Sequence, residues 1–171
     1  MNQSGVKRVF DLLQYQLINH SKSNHLSYKT NGQWIHYSTQ DYKEKVYKTA
    51  QFLLNSGIKK GDKIAVITPN RPEWNFIDFA TLLVPMYPTI TVEDYEYIFQ
   101  HSGVKIVFTA DSELTAKAKQ ALGNSSITTI SFDKLPNNLH YQSLLEEIQE
   151  INYETIQEIS DSIQPDDLLT L

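Results

Sequence analysis

The chain has 171 residues, of which 40% are hydrophobic, and its 15 basic and 20 acidic side chains leave a formal net charge of -5. This size and hydrophobic content predict one globular domain and argue against disorder. Basic residues form no cluster that would neutralise a phosphate backbone or an anionic membrane, which argues against nucleic acid as a partner. The chain has no cysteine, which excludes disulfides and thiolate metal sites and favours a cytoplasmic location.

The sequence patterns lead us to expect neither an export signal nor a membrane span. Its start, Met1–Arg8, is polar and leads into an amphipathic segment rather than into the apolar core of a secretory signal. The most apolar window, Phe76–Tyr87, contains Asp78 and Pro85 and falls short of the roughly 20 residues that a membrane-spanning helix needs. We therefore expect a soluble chain, which leaves peripheral membrane contact open for a longer parent protein.

Residues 1–62 begin with the patterns of a helix and a β-hairpin. Apolar residues at helical spacing predict a first helix that ends near His20. Two short strand-like runs, Leu26–Thr30 and Trp34–Tyr37, flank the pair Asn31-Gly32. Because this pair tolerates the positive φ values of a tight turn, the two runs are predicted to form a hairpin.

A second helix and a buried strand follow the hairpin. Ser38 with Asp41 three residues later predicts a capped helix start, and Gly57 predicts the end of that helix. Lys63–Thr68 (KIAVIT) is a continuous apolar run of the kind that is buried on both faces of a parallel sheet. This run predicts the first strand of the core.

Residues 63–135 alternate between strand-like and helical patterns. Alternation with helices of about ten residues indicates βαβ units with right-handed crossovers. We predict an α/β fold with a doubly wound, mainly parallel sheet, flanking helices and the amino-terminal β-hairpin. The predicted elements after Lys63–Thr68 are a helix from Pro72 to about Leu82, a strand over Leu83–Met86, a helix over Thr91–His101, a strand over Lys105–Thr109, a helix over Ser112–Leu122 and a strand over Ser126–Phe132.

Residues 136–171 predict a helical connector and the opening of one more strand. From Leu139 onward, leucine and isoleucine residues lie among many Glu and Gln residues, as in one or two short surface helices. Leu168–Leu171 follow Pro165 with the apolar character of a strand, and the sequence stops within it. We therefore expect that a longer parent protein was truncated at Leu171.

Five motifs follow one another along the chain: Gly57–Val66 (GIKKGDKIAV), Asn70–Trp74 (NRPEW), Val84–Thr89 (VPMYPT), Glu93–Ile98 (EDYEYI) and Pro165–Leu168 (PDDL). In this order they resemble the front third of long-chain acyl-CoA synthetases. Together they are specific for the adenylate-forming superfamily, and the Pro-Met-Tyr-Pro-Thr form favours its fatty-acid branch. The resemblance implies that the chain is the amino-terminal portion of the acyl-CoA synthetase fold.

The resemblance implies an AMP-forming parent enzyme that converts a long-chain fatty acid, ATP and CoA into acyl-CoA, AMP and pyrophosphate through an acyl-adenylate. Such transfers depend on positioning and charge stabilisation by loops, a lysine and Mg²⁺. In the family those parts lie beyond the position of Leu171. The parent is therefore expected to need ATP, Mg²⁺ and CoA, whereas this chain is expected to hold no cofactor, metal or catalytic residue and to be inactive alone.

One departure from the family concerns the link before Pro85. Family members have about five more residues there, and helix-to-strand links in α/β units usually take about 2 to 6 residues. In this chain the helix has to end and the strand has to begin within Thr81–Leu83. A shortened helix, a displaced strand or residues missing from the chain would explain the difference, and we favour missing or deleted residues.

The resemblance implies two candidate site residues. In related short-chain synthetases the loop corresponding to Pro85–Thr89 borders the CoA nucleotide, so Tyr87 and Thr89 are candidates at the rim of the substrate or CoA region. Tyr87 offers a ring for stacking on adenine, although a structural turn stiffened by two prolines also explains the loop. In the preceding motif, we expect Asn70 to cap a helix and Arg71 to pair with a carboxylate of the same domain.

The remaining polar and aromatic residues predict structure rather than chemistry. The five histidines show no metal-ligand spacing. Trp34, Trp74, Tyr95 and Tyr97 are predicted to pack in the core.

Other functions stay open. One is an interaction module that forms a homodimer through exposed edges and apolar faces. Another is a ligase for a medium-chain or aromatic acid. A freestanding nucleotide-binding domain is a third, although no glycine-rich turn follows the strand Lys63–Thr68.

Overall fold

The computed structural model describes residues 6–167 as helices packed on a parallel sheet, with a separate β-hairpin near the amino terminus. The helices are α1 (Asp11–Asn19), α2 (Thr39–Asn55), α3 (Pro72–Asp78), α4 (Val92–Ser102), α5 (Ser112–Leu122), α6 (Tyr141–Glu146) and α7 (Tyr153–Ser162). The strands are β1 (Leu26–Thr30), β2 (Gln33–Tyr37), β3 (Lys63–Ile67), β4 (Leu82–Met86), β5 (Ile106–Thr109), β6 (Thr128–Ser131) and β7 (Leu139–His140).

The hairpin is confirmed and is formed by β1 and β2. The strands are antiparallel, with Leu26 opposite Tyr37 and Thr30 opposite Gln33. At the turn, Asn31 has φ 49° and Gly32 has φ 79°. Glycine reaches this left-handed region without steric cost and asparagine reaches it more easily than most residues, so local chemistry accounts for the turn.

The predicted cap of α2 is also confirmed. Ser38 Oγ accepts a hydrogen bond from the Asp41 backbone N–H at 3.1 Å, and Asp41 Oδ2 accepts one from the Ser38 N–H at 2.8 Å. This reciprocal capping box satisfies two backbone donors that the helix itself leaves unpaired. At the other end Gly57, with φ 80°, follows the last turn as predicted.

The parallel sheet confirms the predicted fold class. Its strand order is β4-β3-β5-β6-β7, so the chain runs from β3 to one edge and then returns to build the other side. Helices α4 and α5 pack together, while α2 packs with α3 and α6. Along β3, the four residues from Ile64 to Ile67 are at most 1% exposed, which places the hydrophobic core around this strand.

The link between α3 and β4 differs from the prediction. The helix was predicted to reach about Leu82 but ends at Asp78, and residues 79–81 connect it to β4. Hydrogen bonds from Phe79 N to Asn75 O at 3.3 Å and from Ala80 N to Ile77 O at 2.9 Å close the last turn. A shortened helix, rather than a displaced strand, therefore lets this chain complete the crossover.

The connector after β6 contains a strand that the sequence did not predict. Leu139 and His140 form β7, which pairs in parallel with β6 through Ile130 and Ser131. One or two short surface helices were predicted, and two helices follow: α7 has no buried residue, whereas α6 buries Tyr141 and Leu145. The strand predicted over Leu168–Leu171 lies outside the described residues.

A second, smaller hydrophobic cluster attaches the amino-terminal elements to the core. Leu13, Tyr42, Val46 and Phe76 are each at most 6% exposed, and the Tyr42 and Phe76 rings meet edge to face at 5.4 Å. Burying a large apolar side chain contributes about 1.5–3 kcal/mol, so these contacts stabilise the docking of α1 and α2 on α3.

The core prediction for four aromatic residues was correct for two of them. Tyr95 is fully buried and Trp74 packs partly buried against the main core. Trp34 and Tyr97 are instead 60% and 66% exposed, so the prediction was wrong for them. Trp34 lies on the hairpin strand β2, where four of the five residues are exposed, and Tyr97 lies on an exposed part of α4, which apolar character alone did not indicate. None of the helices described between residues 6 and 167 has the length and apolarity needed to cross a bilayer.

Candidate functional site

A cleft of about 480 Å³ lies at the carboxyl ends of β3 and β4. Its walls come from the loop after β3, the start of α3, the first hairpin strand and the end of β4. In open α/β sheets, ligands gather outside the carboxyl ends of the strands. The lining residues are Leu26, Ser27, Tyr28, Thr68, Pro69, Asn70, Arg71, Pro72, Trp74, Asn75, Pro85, Met86 and Tyr87.

Arg71 ties together the loops after β3, β5 and β6. Its Nε lies 2.9 Å from Glu73 Oε2, and its Nη1 donates to Asp133 Oδ1 at 3.0 Å and to the Ala110 carbonyl at 3.3 Å. The guanidinium carbon lies 5.1 Å from the centre of the Phe132 ring. The predicted pairing of Arg71 with a carboxylate is thus confirmed, and the side chain joins three strand ends.

The charge on Arg71 is compensated within the fold. Burial disfavours the guanidinium charge, but hydrogen bonds and charge attraction from Glu73 and Asp133 outweigh burial and raise the pKa of Arg71. Its side chain is only 13% exposed. These contacts leave Arg71 little freedom to bind an anionic ligand, which supports a structural role.

The predicted cap by Asn70 is wrong. The residue at the cap position of α3 is Arg71, in extended backbone geometry and without a side-chain cap. Pro72 occupies the first turn, where its fixed φ suits a helix start and its missing N–H leaves no donor unpaired. Asn70 instead lies exposed in the cleft wall.

The loop after β4 is held from behind through its backbone carbonyls. Tyr95 Oη donates to the Tyr87 carbonyl at 3.1 Å, and Lys117 Nζ donates to the Pro88 carbonyl at 3.4 Å and to the Ile90 carbonyl. Burial raises the pKa of Tyr95 to about 12, so its hydroxyl stays a donor at neutral pH. Helices α4 and α5 thereby fix the backbone of residues 87–90.

The two candidate residues of this loop are placed differently. Tyr87 is 78% exposed and is one of the residues that line the cleft. Thr89 is also exposed but does not belong to the lining. Thr91 has a structural task, because its hydroxyl accepts the Asp94 N–H at 3.1 Å and caps α4. Of the two candidates, Tyr87 lines the cleft and Thr89 does not.

Tyr95 and Lys117 were not recognised from the sequence as supports of this loop. The sequence pattern predicted only that Tyr95 packs in the core. Lys117 lies in an amphipathic helix, where a lysine predicts an exposed, solvated face. The Lys117 ammonium also lies 4.9 Å from the centre of the Tyr95 ring. Only the packing of α5 against α4 brings these groups to the loop, so no local motif indicates them.

The chemistry available in the cleft is that of binding. Tyr28, Trp74 and Tyr87 supply aromatic surface, and the side chains of Asn70 and Asn75 supply amide donors and acceptors at the wall. Within residues 6–167, no group of three His, Asp or Glu side chains is arranged to hold a metal ion. Such a wall suits a flat, polar-edged group such as a nucleobase.

Comparison with known proteins places these features in a family. Residues 15–171 match the AMP-binding enzyme family. Fatty acyl-CoA synthetase A of Dictyostelium discoideum is 32% identical over 109 residues, which cover 56% of this chain and 16% of that protein. The long-chain-fatty-acid–CoA ligase FadD15 of Mycobacterium bovis is 28% identical over 94 residues, covering 52% of this chain and 16% of that ligase.

A solved structure has the same fold as this chain. The anthranilate CoA ligase AuaEII in complex with anthranoyl-AMP superposes with a TM-score of 0.69 at 15% identity. The superposition covers 81% of this chain and 28% of that ligase. The chain thus spans less than a third of the length of each of these relatives.

Proposed function

The chain belongs to the AMP-binding enzyme family, and we propose that it is the amino-terminal part of an ATP-dependent long-chain fatty-acid CoA ligase. The parent would join a fatty acid to CoA through an acyl-adenylate and release AMP and pyrophosphate. The family match supports adenylate formation, and two relatives named for fatty acids support this substrate class. The Pro-Met-Tyr-Pro-Thr loop before α4 supports the same branch.

We propose that the chain is a structural part of the parent enzyme and has no catalytic activity by itself. Adenylyl transfer requires cations and loop donors around the phosphates of ATP. In this chain the cation at the strand ends, Arg71, is already bound to Glu73 and Asp133. The described residues offer no carboxylate set for Mg²⁺, so no step through the metal is assigned to them.

In this proposal the cleft contacts the nucleotide portion of CoA. The observation that carries this assignment is the contrast at Tyr87: its backbone carbonyl is fixed by Tyr95, while its ring is 78% exposed beside the cleft. Because the backbone of Tyr87 is fixed, stacking of a base on its ring costs only the freedom of that side chain. Thr89 would add a hydroxyl at the outer rim of the same loop.

A chimera tests the proposal. Residues 1–171 would replace the matching segment of the Mycobacterium bovis ligase, and palmitoyl-adenylate and palmitoyl-CoA formation would be measured separately. We expect Tyr87→Ala to raise the KM for CoA about fivefold, as the loss of one stacked base of about 1 kcal/mol would. Adenylate formation should not change, and Tyr87→Phe should retain the parental KM.

Tyr97→Ala is the matched control, because it removes an exposed tyrosine ring outside the cleft. An unchanged KM for CoA in Tyr87→Ala would refute the stacking role. A folded chimera that forms no palmitoyl-adenylate would refute the assignment of the chain to this scaffold. The 171-residue chain alone is expected to form neither product, and activity of the chain alone would refute the scaffold role.

A ligase for an aromatic or medium-chain acid is the alternative within the same chemistry. The structural likeness to a ligase in complex with anthranoyl-AMP motivates it. If residues 1–171 carried acid selectivity, the chimera would activate benzoate in preference to palmitate. We expect the chimera to activate palmitate in preference to benzoate, because no side chain that lines the described cleft is assigned to binding the carboxylic acid.

Self-association is a second function supported by a particular surface. Trp34 and Ile35 on the hairpin and Ile18 on α1 are 60%, 42% and 70% exposed. Exposed apolar side chains on a two-stranded hairpin favour contact with another copy. Light scattering over a range of chain concentrations would detect a homodimer, and Trp34→Lys should weaken it. A constant monomer mass would exclude this function.

A further inference from the structure

A second cavity, here called the basal groove, lies at the amino-terminal end of β3 and β4. It has a volume of about 550 Å³ and is bounded by α1, α2, the turn before β3, residues 78–81 and α7. Small-molecule sites commonly have volumes of about 300–1,000 Å³. The basal groove is therefore large enough for a ligand, and it lies at the opposite strand ends from Tyr87.

The floor and one wall of the basal groove are apolar. Leu13, Val46 and Leu53 form the floor and are at most 6% exposed. Ile156 and Ile159 of α7 supply the opposite wall. A surface of branched aliphatic side chains binds an alkyl chain through the hydrophobic effect, which contributes about 0.8 kcal/mol for each buried CH₂ group.

The rim of the basal groove is cationic. Six of the 15 basic residues of the chain line it, against three carboxylates, although the whole chain has a net charge of -5. Lysine side chains lay their stems on apolar surface and keep their ammonium groups in water. The six basic residues are Lys7, Arg8, Lys43, Lys59, Lys60 and Lys63.

Four of the six basic residues form no ion pair within residues 6–167. Arg8 pairs with Asp11 and Lys60 pairs with Asp167. In this part of the chain no carboxylate pairs with the ammonium groups of Lys7, Lys43, Lys59 and Lys63. Lys59 lies in the turn before β3 and Lys63 is the first residue of that strand, so unpaired positive charge lies beside the apolar floor.

The early end of α3 contributes to this cavity. Because the helix stops at Asp78, residues 79–81 run directly to β4, and all three of them line the groove. A helix that continued to Leu82, as the sequence predicted, would place a further turn at this position. The shortened link is thus one boundary of the site.

We propose that the basal groove, at the opposite strand ends from the cleft beside Tyr87, binds a single-chain anionic amphiphile, a long-chain carboxylate. The alkyl chain lies on Leu13, Val46 and Leu53, and the carboxylate lies beside Lys59 and Lys63. Both halves of the ligand match what lines the groove: aliphatic floor and unpaired cations. A protein segment or a second copy of the chain would need no such cluster of lysines.

Binding to the 171-residue chain tests this site directly. Sodium dodecanoate, below its micelle-forming concentration, would be titrated by calorimetry and by amide NMR spectra. We expect saturable binding at one site, with shifts at the turn before β3 and in α7, and weaker binding at high salt. Butyrate has the carboxylate without the long alkyl group, and dodecyltrimethylammonium has the long alkyl group with the opposite charge. Both should therefore bind more weakly than dodecanoate.

Two variants separate the contributions of charge and of the apolar floor. The double variant Lys59→Gln and Lys63→Gln should lower dodecanoate affinity about tenfold, as the loss of two ion pairs of about 0.7 kcal/mol each would. Ala50→Phe should block binding by filling the groove, which Ala50 lines. The matched control is Lys119→Gln with Lys134→Gln, which removes the same charge from exposed positions outside the groove.

The outcomes decide the proposal. Binding that falls in the Lys59/Lys63 variant but not in the Lys119/Lys134 variant supports it. Absence of dodecanoate binding to the folded chain overturns it, as does equal binding of dodecyltrimethylammonium. A rise in chain mass without bound dodecanoate would identify a second copy as the occupant and would also overturn it.

Discussion

Charged side chains lie at both ends of strands β3 and β4, but the two ends differ in whether these charges are paired. At the carboxyl ends, Arg71 is bound to Glu73 and Asp133 and closes the loops against one another. At the amino-terminal ends, Arg8 is likewise paired, but Lys59 and Lys63 at the rim of the basal groove have no ion-pair partner within residues 6–167.

The carboxylates at the two ends of the strands also differ in whether they are paired. Asp78 lines the basal groove and, within the described chain, has neither a hydrogen bond nor an ion pair from its side chain. Burial raises its pKa. Charge that is paired internally stabilises a fold, whereas charge that is left unpaired beside an apolar surface is available to a ligand. Substitutions at both ends of the strands test this contrast.

The largest effect is expected at the carboxyl ends. Arg71→Met leaves the partly buried Glu73 without its partner, so the free energy of unfolding should fall by about 3 kcal/mol. Urea unfolding measures this change. Lys134→Met, which removes an exposed cation without a partner in residues 6–167, should change it by less than about 0.5 kcal/mol. Similar losses in both variants would mean that the Arg71 network has no structural role.

A smaller loss is expected when the paired arginine at the other end is removed. Arg8 bonds to Asp11 at 2.9 Å and to the Ser160 and Ile163 carbonyls, which joins α1 to the end of α7. Arg8→Met should lower the free energy of unfolding by about 2 kcal/mol, as expected for hydrogen bonds from a charged group. Amide exchange in α7 should accelerate, and unchanged exchange there would contradict the assigned link.

The pH dependence of this variant has a defined sign. Burial opposes the charge of Asp11, but its hydrogen bonds from Arg8 and Lys7 outweigh burial and hold its pKa below the usual value. A lowered folded-state pKa contributes stability above the unfolded pKa and loses it as pH falls through the folded one. The difference between the parent chain and Arg8→Met should therefore shrink in acid.

Asp78→Asn should stabilise the chain modestly. The substitution removes a carboxylate that burial disfavours and that lies at the carboxyl end of a helix, where negative charge is unfavourable by about 0.5 kcal/mol. Since the folded-state pKa of Asp78 is raised, its ionisation destabilises the fold as pH rises above the unfolded pKa. The gain should be present at pH 7 and vanish in acid. A gain that persisted unchanged in acid would contradict this electrostatic origin.

The smallest effect is expected at Tyr87. Because its ring is 78% exposed, Tyr87→Ala should change the free energy of unfolding by less than about 0.5 kcal/mol. Tyr95→Phe, which removes the donor to the Tyr87 carbonyl, should cost about 1 kcal/mol. If Tyr87→Ala were the more damaging of the two, the ring would be structural and not a binding surface.

Local sequence signals predicted the parts of the fold that local chemistry specifies. Ser38 and Asp41 form their capping box within one helical turn, and Asn31 and Gly32 make the hairpin turn by their own φ values. The continuous apolar run of β3 correctly predicted a strand that is buried on both faces. The candidate Tyr87 came from a family resemblance, and its role beside the CoA nucleotide stays a prediction.

The missed features depend on partners that are distant in the chain. The strand β7 has only two residues and exists because β6 offers an edge for pairing. The end of α3 at Asp78 follows from where β4 has to pair with β3, and no capping signal marks it in the sequence. Lys117 reaches the loop after β4 across 27 residues of sequence, so its neighbours in the chain do not indicate its role.

The sequence alone determined which segments become buried strands, which become amphipathic helices and where the hairpin turns, because these properties depend on side chains within a few residues of one another. Tertiary structure decided the strand order β4-β3-β5-β6-β7, the pairing of Arg71 with Asp133 across 62 residues, and the free lysines beside the basal groove. These follow from packing, since whether a charge is paired depends on which groups the folded chain brings within hydrogen-bonding distance.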